Sequence, residues 1–157
     1  MYEELSQLID ESIKLELNVA ELYKIFDEAF PEDAYFWSKL LMEEENHAAL
    51  IRGVAETYDL SVEFTADMLF PSLQDLKNAN SKIVSLIVEY RSNPPSRETA
   101  FNVALELEQS SGEIHFQRFM EKESNDRIIQ VYQQLNKDNK NHAARLRSYM
   151  EKHGIQK

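Results

Sequence analysis

The chain has 157 residues, 43% of them hydrophobic, and a formal net charge of −11. That is enough apolar material for one domain with a core, here residues 1–157, and far too acidic for a groove that grips nucleic acid with clustered Lys and Arg. There is no cysteine, which excludes disulfides, thiolate zinc sites and a Cys-ligated iron centre.

The N-terminus, Met1-Tyr2-Glu3-Glu4, has neither a basic region nor an apolar stretch, so no signal peptide is expected. The densest apolar run, Ile83–Val88, falls far short of the ~20 residues a membrane helix needs. The expectation is a cytoplasmic protein without a membrane or nucleic-acid partner. Three glycines, four prolines and abundant Glu, Leu, Lys and Ala favour helix throughout.

Helix A is expected over about 3–29 and stops before Pro31. Its seam, spaced by three and four, reads Leu5, Ile9, Ile13, Glu16, Ala20, Tyr23. Helix B, about 33–58, carries Trp37, Leu40, Glu44, His47, Ile51, Val54, Tyr58. Phe36, Trp37 and Met42 read as core. The connection that follows is long, but from about 72 to 91 it has its own amphipathic pattern: Leu73, Leu76, Ile83, Ile87, Tyr90. A helix of ~20 residues spans ~30 Å, enough to carry the chain from one end of a bundle to the other. Its apolar face admits a homodimer. Pro94-Pro95 breaks the chain and Ser96 is the expected N-cap of helix C, about 97–121, with Phe101, Leu105, Glu108, Gly112, His115, Phe119. Gly112 reads as a point of close helix approach. Helix D, about 125–152 and capped by Ser124, carries Ile128, Tyr132, Leu135, Asn139, His142, Leu146, Tyr149.

Each seam has polar residues near its middle, where a core-facing stripe is normally apolar. Asn-His-Ala-Ala occurs twice, at Asn46–Ala49 and Asn141–Ala144. Helices A and C match at an offset of 92 residues, and B and D at 95: Glu16 with Glu108, Tyr23 with His115, Glu44 with Asn139, His47 with His142. The pattern is an internal duplication of a helical hairpin. Glu-x-x-His places two metal-ligand types on one helix face, and two such helices facing each other make a two-metal site. The second copy has Asn139 in place of Glu. A lone seam Glu or His is more often a core or snorkelling residue than a ligand. Three carboxylates and two imidazoles converging in an apolar interior are harder to explain without a cation. Within Glu43-Glu44-Glu45, only Glu44 is in phase with the seam. Asp138 lies ~100° around the helix from Asn139. The other acidic faces read as solvated surface.

Glu16 with Tyr23, Glu44 with His47, the run Ala104-Leu105-Glu106-Leu107-Glu108, and His142 together resemble the rubrerythrin-like branch of the ferritin-like superfamily, over nearly the whole chain. The resemblance implies an all-α, ferritin-like four-helix bundle of two antiparallel hairpins joined by a long helical crossover. It implies two divalent metal ions, iron first and manganese or zinc as alternatives, and peroxidase or oxidase chemistry on peroxide or dioxygen. The implied ligands are Glu16, Glu44, His47, Glu108, Asn139 and His142, with Tyr23 a hydrogen-bond donor behind them. Asn139 brings no charge and weakens the second metal position. His115 stands where the family has a Tyr and reads as a core histidine. Without a Cys-rich iron domain, the electron donor must be a separate molecule. The rival readings are a metal-poor bundle acting as a binding or structural module, and iron binding or storage.

Overall fold

The computed structural model describes residues 2–57, 73–116 and 127–157, and among them it is all-helical. The helices are α1 (Tyr2–Ala29), α2 (Ala34–Thr57), α3 (Leu73–Ser92), α4 (Arg97–Phe116) and α5 (Arg127–His153), with a short 3-10 turn at Pro31–Asp33. Tyr58, Phe119 and the expected cap Ser124 lie outside the described residues. For Leu5, Val54, Gly112, His115, Ile128, Tyr132, Leu135 and Asn139 only the helical backbone is described. No described helix is long and apolar enough to cross a membrane.

The helix ends follow local chemistry. Pro31 cannot continue α1, and the chain turns through Asp33 N–H to Phe30 O at 2.9 Å. Ser96 caps α4, its Oγ accepting from Thr99 N–H at 3.2 Å. Gly154 ends α5 at φ 67°, and Ile155 N–H reaches back to Met150 O at 2.8 Å. A left-handed residue is needed there, and glycine adopts it without a Cβ penalty.

Two helix pairs dominate the packing, α1 with α2 and α4 with α5. Both are antiparallel. Tyr23 meets Trp37 while Glu16 meets His47, and Phe101 stacks on Tyr149 while Glu108 meets His142. The α2–α5 contact is also antiparallel, from Phe36 against Tyr149 to His47 against Asp138. It follows that α2 and α4 run in the same direction. α3 lies along α1 in parallel, with Glu11 and Asn18 facing Asn80, and Glu21 facing Arg91. Asn80 is buried and satisfied: it receives from Asn18 Nδ2 at 3.0 Å and donates to Glu11 O and Oε2 at 3.0 and 2.9 Å. A polar lock of this kind fixes register, because any slip leaves buried amide groups unpaired.

The core runs through Leu22, Tyr23, Phe26, Trp37, Leu40, Ile51, Phe101, Ala104 and Leu146. α1 buries more than its predicted seam: Leu8, Ser12, Leu15, Val19 and Leu22 are buried as well. The reason is α3. Its apolar face, Leu76, Ile83, Ile87 and Tyr90, is spent on α1, so α1 has neighbours on two sides. That is the face on which the homodimer expectation rested. Met42 is a correction: it is 60% exposed. It lies two residues from both Leu40 and Glu44, hence ~200° around the helix from the seam. Phe36 is partly buried and Trp37 fully so.

Candidate metal centre

Glu16 of α1, Glu44 and His47 of α2, Glu108 of α4 and His142 of α5 are all buried, and they meet at mid-height between the helices. Each sits on the inward stripe of its helix, flanked by buried residues one turn away (Ala20, Leu40 and Ile51, Ala104 and Leu105, Leu146), with Tyr23 two turns beyond Glu16. The apolar neighbours bury the stripe and take the acids with it.

The five side chains form two triads, Glu16–Glu44–His47 and Glu44–Glu108–His142, each with ligand atoms within 4.8 Å of one another. Glu44 belongs to both. Its Oε2 is 3.7 Å from His47 Nδ1, and its Oε1 is 2.8 Å from His142 Nδ1. Glu16 Oε2 lies 3.6 Å from His47 Nδ1, and Glu108 Oε1 lies 3.4 Å from His142 Nδ1. The two imidazoles are nearly parallel, with centroids 5.5 Å apart.

His47 Nδ1, His142 Nδ1 and Glu44 Oε1 are buried and have no hydrogen-bond partner among the described residues. This holds although Glu44 Oε1 and His142 Nδ1 are only 2.8 Å apart, so the pair is close but off the line a hydrogen bond needs. Buried polar atoms are normally satisfied, and three orphans in one cluster call for a further group. Three carboxylates and two imidazoles with ligand atoms this close together are a donor set that could hold a cation once the rings lose their protons. Carboxylate and imidazole are also the donor types that suit divalent iron, manganese or zinc. The residues fit a pair of divalent ions.

The outer edges of both rings are held. His47 Nε2 is 3.3 Å from Asp138 Oδ2, and His142 Nε2 is 3.0 Å from Glu43 Oε2. Arg145 Nη1 in turn donates to Glu43 Oε2 at 2.7 Å, and Gln134 Nε2 to Asp138 Oδ1 at 3.0 Å. A carboxylate on the far nitrogen fixes the ring's orientation and leaves the near nitrogen free to bind a metal. Asp138 and Glu43 were read from sequence as out of phase, and their role was missed. They are out of phase with the seam because they approach the rings from the side, across the α2–α5 boundary. A signal was present: Glu43 and Asp138 are 95 residues apart, the same offset as His47 and His142. Around these outer edges lies a polar cleft of about 130 Å³, lined by Glu43, His47, Asp138, Asn141, His142 and Arg145. That is room for a few small polar molecules, since a water takes ~30 Å³.

Burial opposes charge on the imidazoles, but the facing carboxylates outweigh it. Glu16 and Glu44 hold His47 up at about 11, and Glu108 and Glu44 hold His142 up at about 10. Burial and the charge of Glu108 push Glu44 upward, and contacts with Glu16, His142 and His47 overcome them, leaving its carboxyl below the ordinary range. Without a metal, the acids are therefore balanced by imidazolium. Tyr23 is fully buried and its hydroxyl donates to Glu108 Oε1 at 2.5 Å. Burial, then the charges of Glu108 and Glu44, keep its phenol protonated, well above its usual value.

The structure thus brings together Glu16, Tyr23, Glu44, His47, Glu108 and His142. Asn139 is in α5, one turn before His142, but its side chain lies outside the described residues, as does that of His115. Compared with known proteins, the chain matches no family model, no curated protein and no solved structure.

Proposed function

We propose that this chain is a ferritin-like, rubrerythrin-like di-metal protein with peroxidase or oxidase chemistry, using two divalent ions, iron first. The observation that carries the reading is the pair of buried triads sharing Glu44, with three ligand atoms that have no hydrogen bond among the described residues. The antiparallel α1–α2 and α4–α5 pairs and the α3 return agree with a hairpin–crossover–hairpin bundle.

Glu16 and His47 would hold one ion, Glu108 and His142 the other, with Glu44 offering one oxygen to each. Iron held by these residues would supply one-electron redox chemistry toward peroxide or dioxygen. The protein's own part is positional. Asp138 and Glu43 keep the near nitrogens of the two rings inward. Tyr23 donates to Glu108, steering that carboxylate and keeping a proton beside it. Trp37, Phe26 and Phe101, all fully buried, keep bulk water from the centre on the side of Tyr23. The α2–α5 cleft supplies a polar approach on the other side. These 157 residues hold no cysteine for an iron–sulfur relay, so in this reading electrons would reach the centre from outside them.

The test is anaerobic calorimetric titration with ferrous ion, followed by elemental analysis of protein purified without chelator. The two triads have the same donor types, but the second position has Asn139 where the first has a Glu-x-x-His carboxylate, so the steps should be unequal, with the Glu16–Glu44–His47 position filling first. Two equal tight sites would refute the assignment of a weak second position, and no binding would refute the centre. The latter outcome supports the rival reading, a metal-free structural or binding module, in which the imidazolium charges alone balance the acids.

A further inference from the structure

A groove of about 490 Å³ lies between the first half of α2 and the last half of α5, on the outer side of the aromatic core. It is lined by Glu32, Tyr35, Phe36, Lys39, Ala144, Arg145, Ser148, Tyr149 and Lys152. Its size is that of a small-molecule site. The floor is aromatic: Phe36 and Tyr149 stack with centroids 4.2 Å apart. Tyr35 at the edge is 85% exposed, so its ring is open to a ligand in the groove.

The rim has the opposite charge to the rest of the chain. Lys39, Arg145 and Lys152 line it against the single acid Glu32, in a protein of net charge −11. Arg145 is engaged by Glu43, and Glu32 lies 3.7 Å from Arg97. Lys39 and Lys152 are exposed and have no ion-pair partner among the described residues. The remote acids are screened over ~8 Å at physiological salt, whereas charges on the rim act at contact. A long polyanion would still meet the acidic surface beyond the groove, but a small anion would not.

We propose that this groove binds a small planar aromatic anion, its ring on Tyr35, Phe36 and Tyr149 and its phosphate or carboxylate between Lys39 and Lys152. Flat rings stack on such a floor in an offset or edge-on manner, and the lysines add charge at the rim. The groove also touches the metal centre's support. Arg145 is shared between the groove and Glu43, and Glu43 holds His142 Nε2. An anion that draws on Arg145 loosens that hold, so occupancy of the groove reaches the centre. This last consequence rests on the di-metal reading; the binding site itself does not.

The experiment uses the full chain, metal-free, at low salt, with flavin mononucleotide as probe and fluorescence quenching as readout. Riboflavin, with the same ring and no phosphate, is the charge control, and anilinonaphthalene sulfonate is a second aromatic anion. Saturable binding of one flavin mononucleotide per chain is expected, at least tenfold tighter than riboflavin. The double variant Lys39→Glu, Lys152→Glu should lose at least tenfold for both anions with unchanged circular dichroism and melting, because both side chains are exposed. Equal affinity for riboflavin and its phosphate, or an unaffected double variant, would overturn the proposal. So would no saturable binding of either anion, including the case in which sedimentation shows the groove closed by a second copy of the chain. Since no metal is present, a negative result here leaves the di-metal reading standing, and a failed ferrous titration leaves this one standing.

Discussion

Asp33 and Glu44 are both buried carboxylates, one just before α2 and one within it, and their surroundings differ in kind. Asp33 is closed. Its Oδ1 accepts from Arg97 Nη2 and from the Tyr149 hydroxyl, and its Oδ2 from Arg97 Nε, all at 2.7 Å. Burial would raise its carboxyl, but those donors hold it below its usual value. Glu44 is open. It faces two imidazole nitrogens in ion-pair contact and another carboxylate, and among the described residues neither those nitrogens nor its own Oε1 has a hydrogen bond. Equal burial with opposite satisfaction separates a structural clamp from a candidate site. What marks the site is the polar capacity left unused around an acid, rather than the acid itself.

The comparison breaks most visibly by removing the open carboxylate. Glu44→Gln takes away the only group common to both triads, and binding of both ferrous ions should fall below detection by calorimetry. The folded state should survive at some cost, since Gln keeps the shape and relieves the repulsion from Glu108 but loses the ion pairs with both imidazoles. Retention of one full-strength ion would show that Glu44 is not shared. Next in size is the closed acid. Asp33→Ala strands Arg97 and Tyr149, and should cost about 3 kcal/mol in urea unfolding, the low end for a broken buried pair because Arg97 is 31% exposed. Metal content should not change, and a loss of metal would mean that the two clusters are not independent. Smaller again is the outer shell: Asp138→Asn should weaken the ion on His47 by about tenfold, and Glu43→Gln the ion on His142. An effect on the wrong ion would reassign the rings.

The smallest effect is on pH dependence. The pKa values of His47 and His142 rise on folding from 6.5 to about 11 and about 10. Their contribution to metal-free stability is complete below pH 6.5 and is lost as pH climbs toward 10 and 11. Glu44 is held below 4.5, so its contribution is present above that pH and lost below it. The metal-free protein should melt highest between about pH 4.5 and 6.5 and fall progressively toward pH 10. Metal ligation needs neutral imidazole, so a loaded protein should lack the alkaline decline. A metal-free melting temperature that rises from pH 6.5 to 10 would contradict the imidazolium account.

Much of this was legible in the chain. The three-and-four spacing placed Glu16, Glu44, His47, Glu108 and His142 on inward faces, because periodicity reports directly on which face a core will cover. The same spacing, applied to one helix at a time, could not show that α1 has two neighbours, so Leu8, Leu15 and Leu22 were passed over. It was silent on Glu43, Asp138 and Arg145, which act across a helix boundary on the edge of a partner's ring. Asp33 was unreadable for a related reason: Pro-Glu-Asp is an ordinary helix start, and only the fold brings Arg97 and Tyr149 to it. Met42 was misplaced by its chemistry, an apolar side chain on the far side of the seam.

The two helix pairs touch each other sparsely at the level of the backbone. Between α2 and α5 the gap is bridged by side chains: the Phe36–Tyr149 stack at one end, then Arg145 with Glu43, His142 with Glu43 and Glu44, and His47 with Asp138. Between α2 and α5, beside the apolar core the halves share, these side-chain contacts are electrostatic in the middle stretch and aromatic at the end. Such a joint is stiff or slack according to the charge held inside it, whereas each helical pair keeps its own shape through apolar packing.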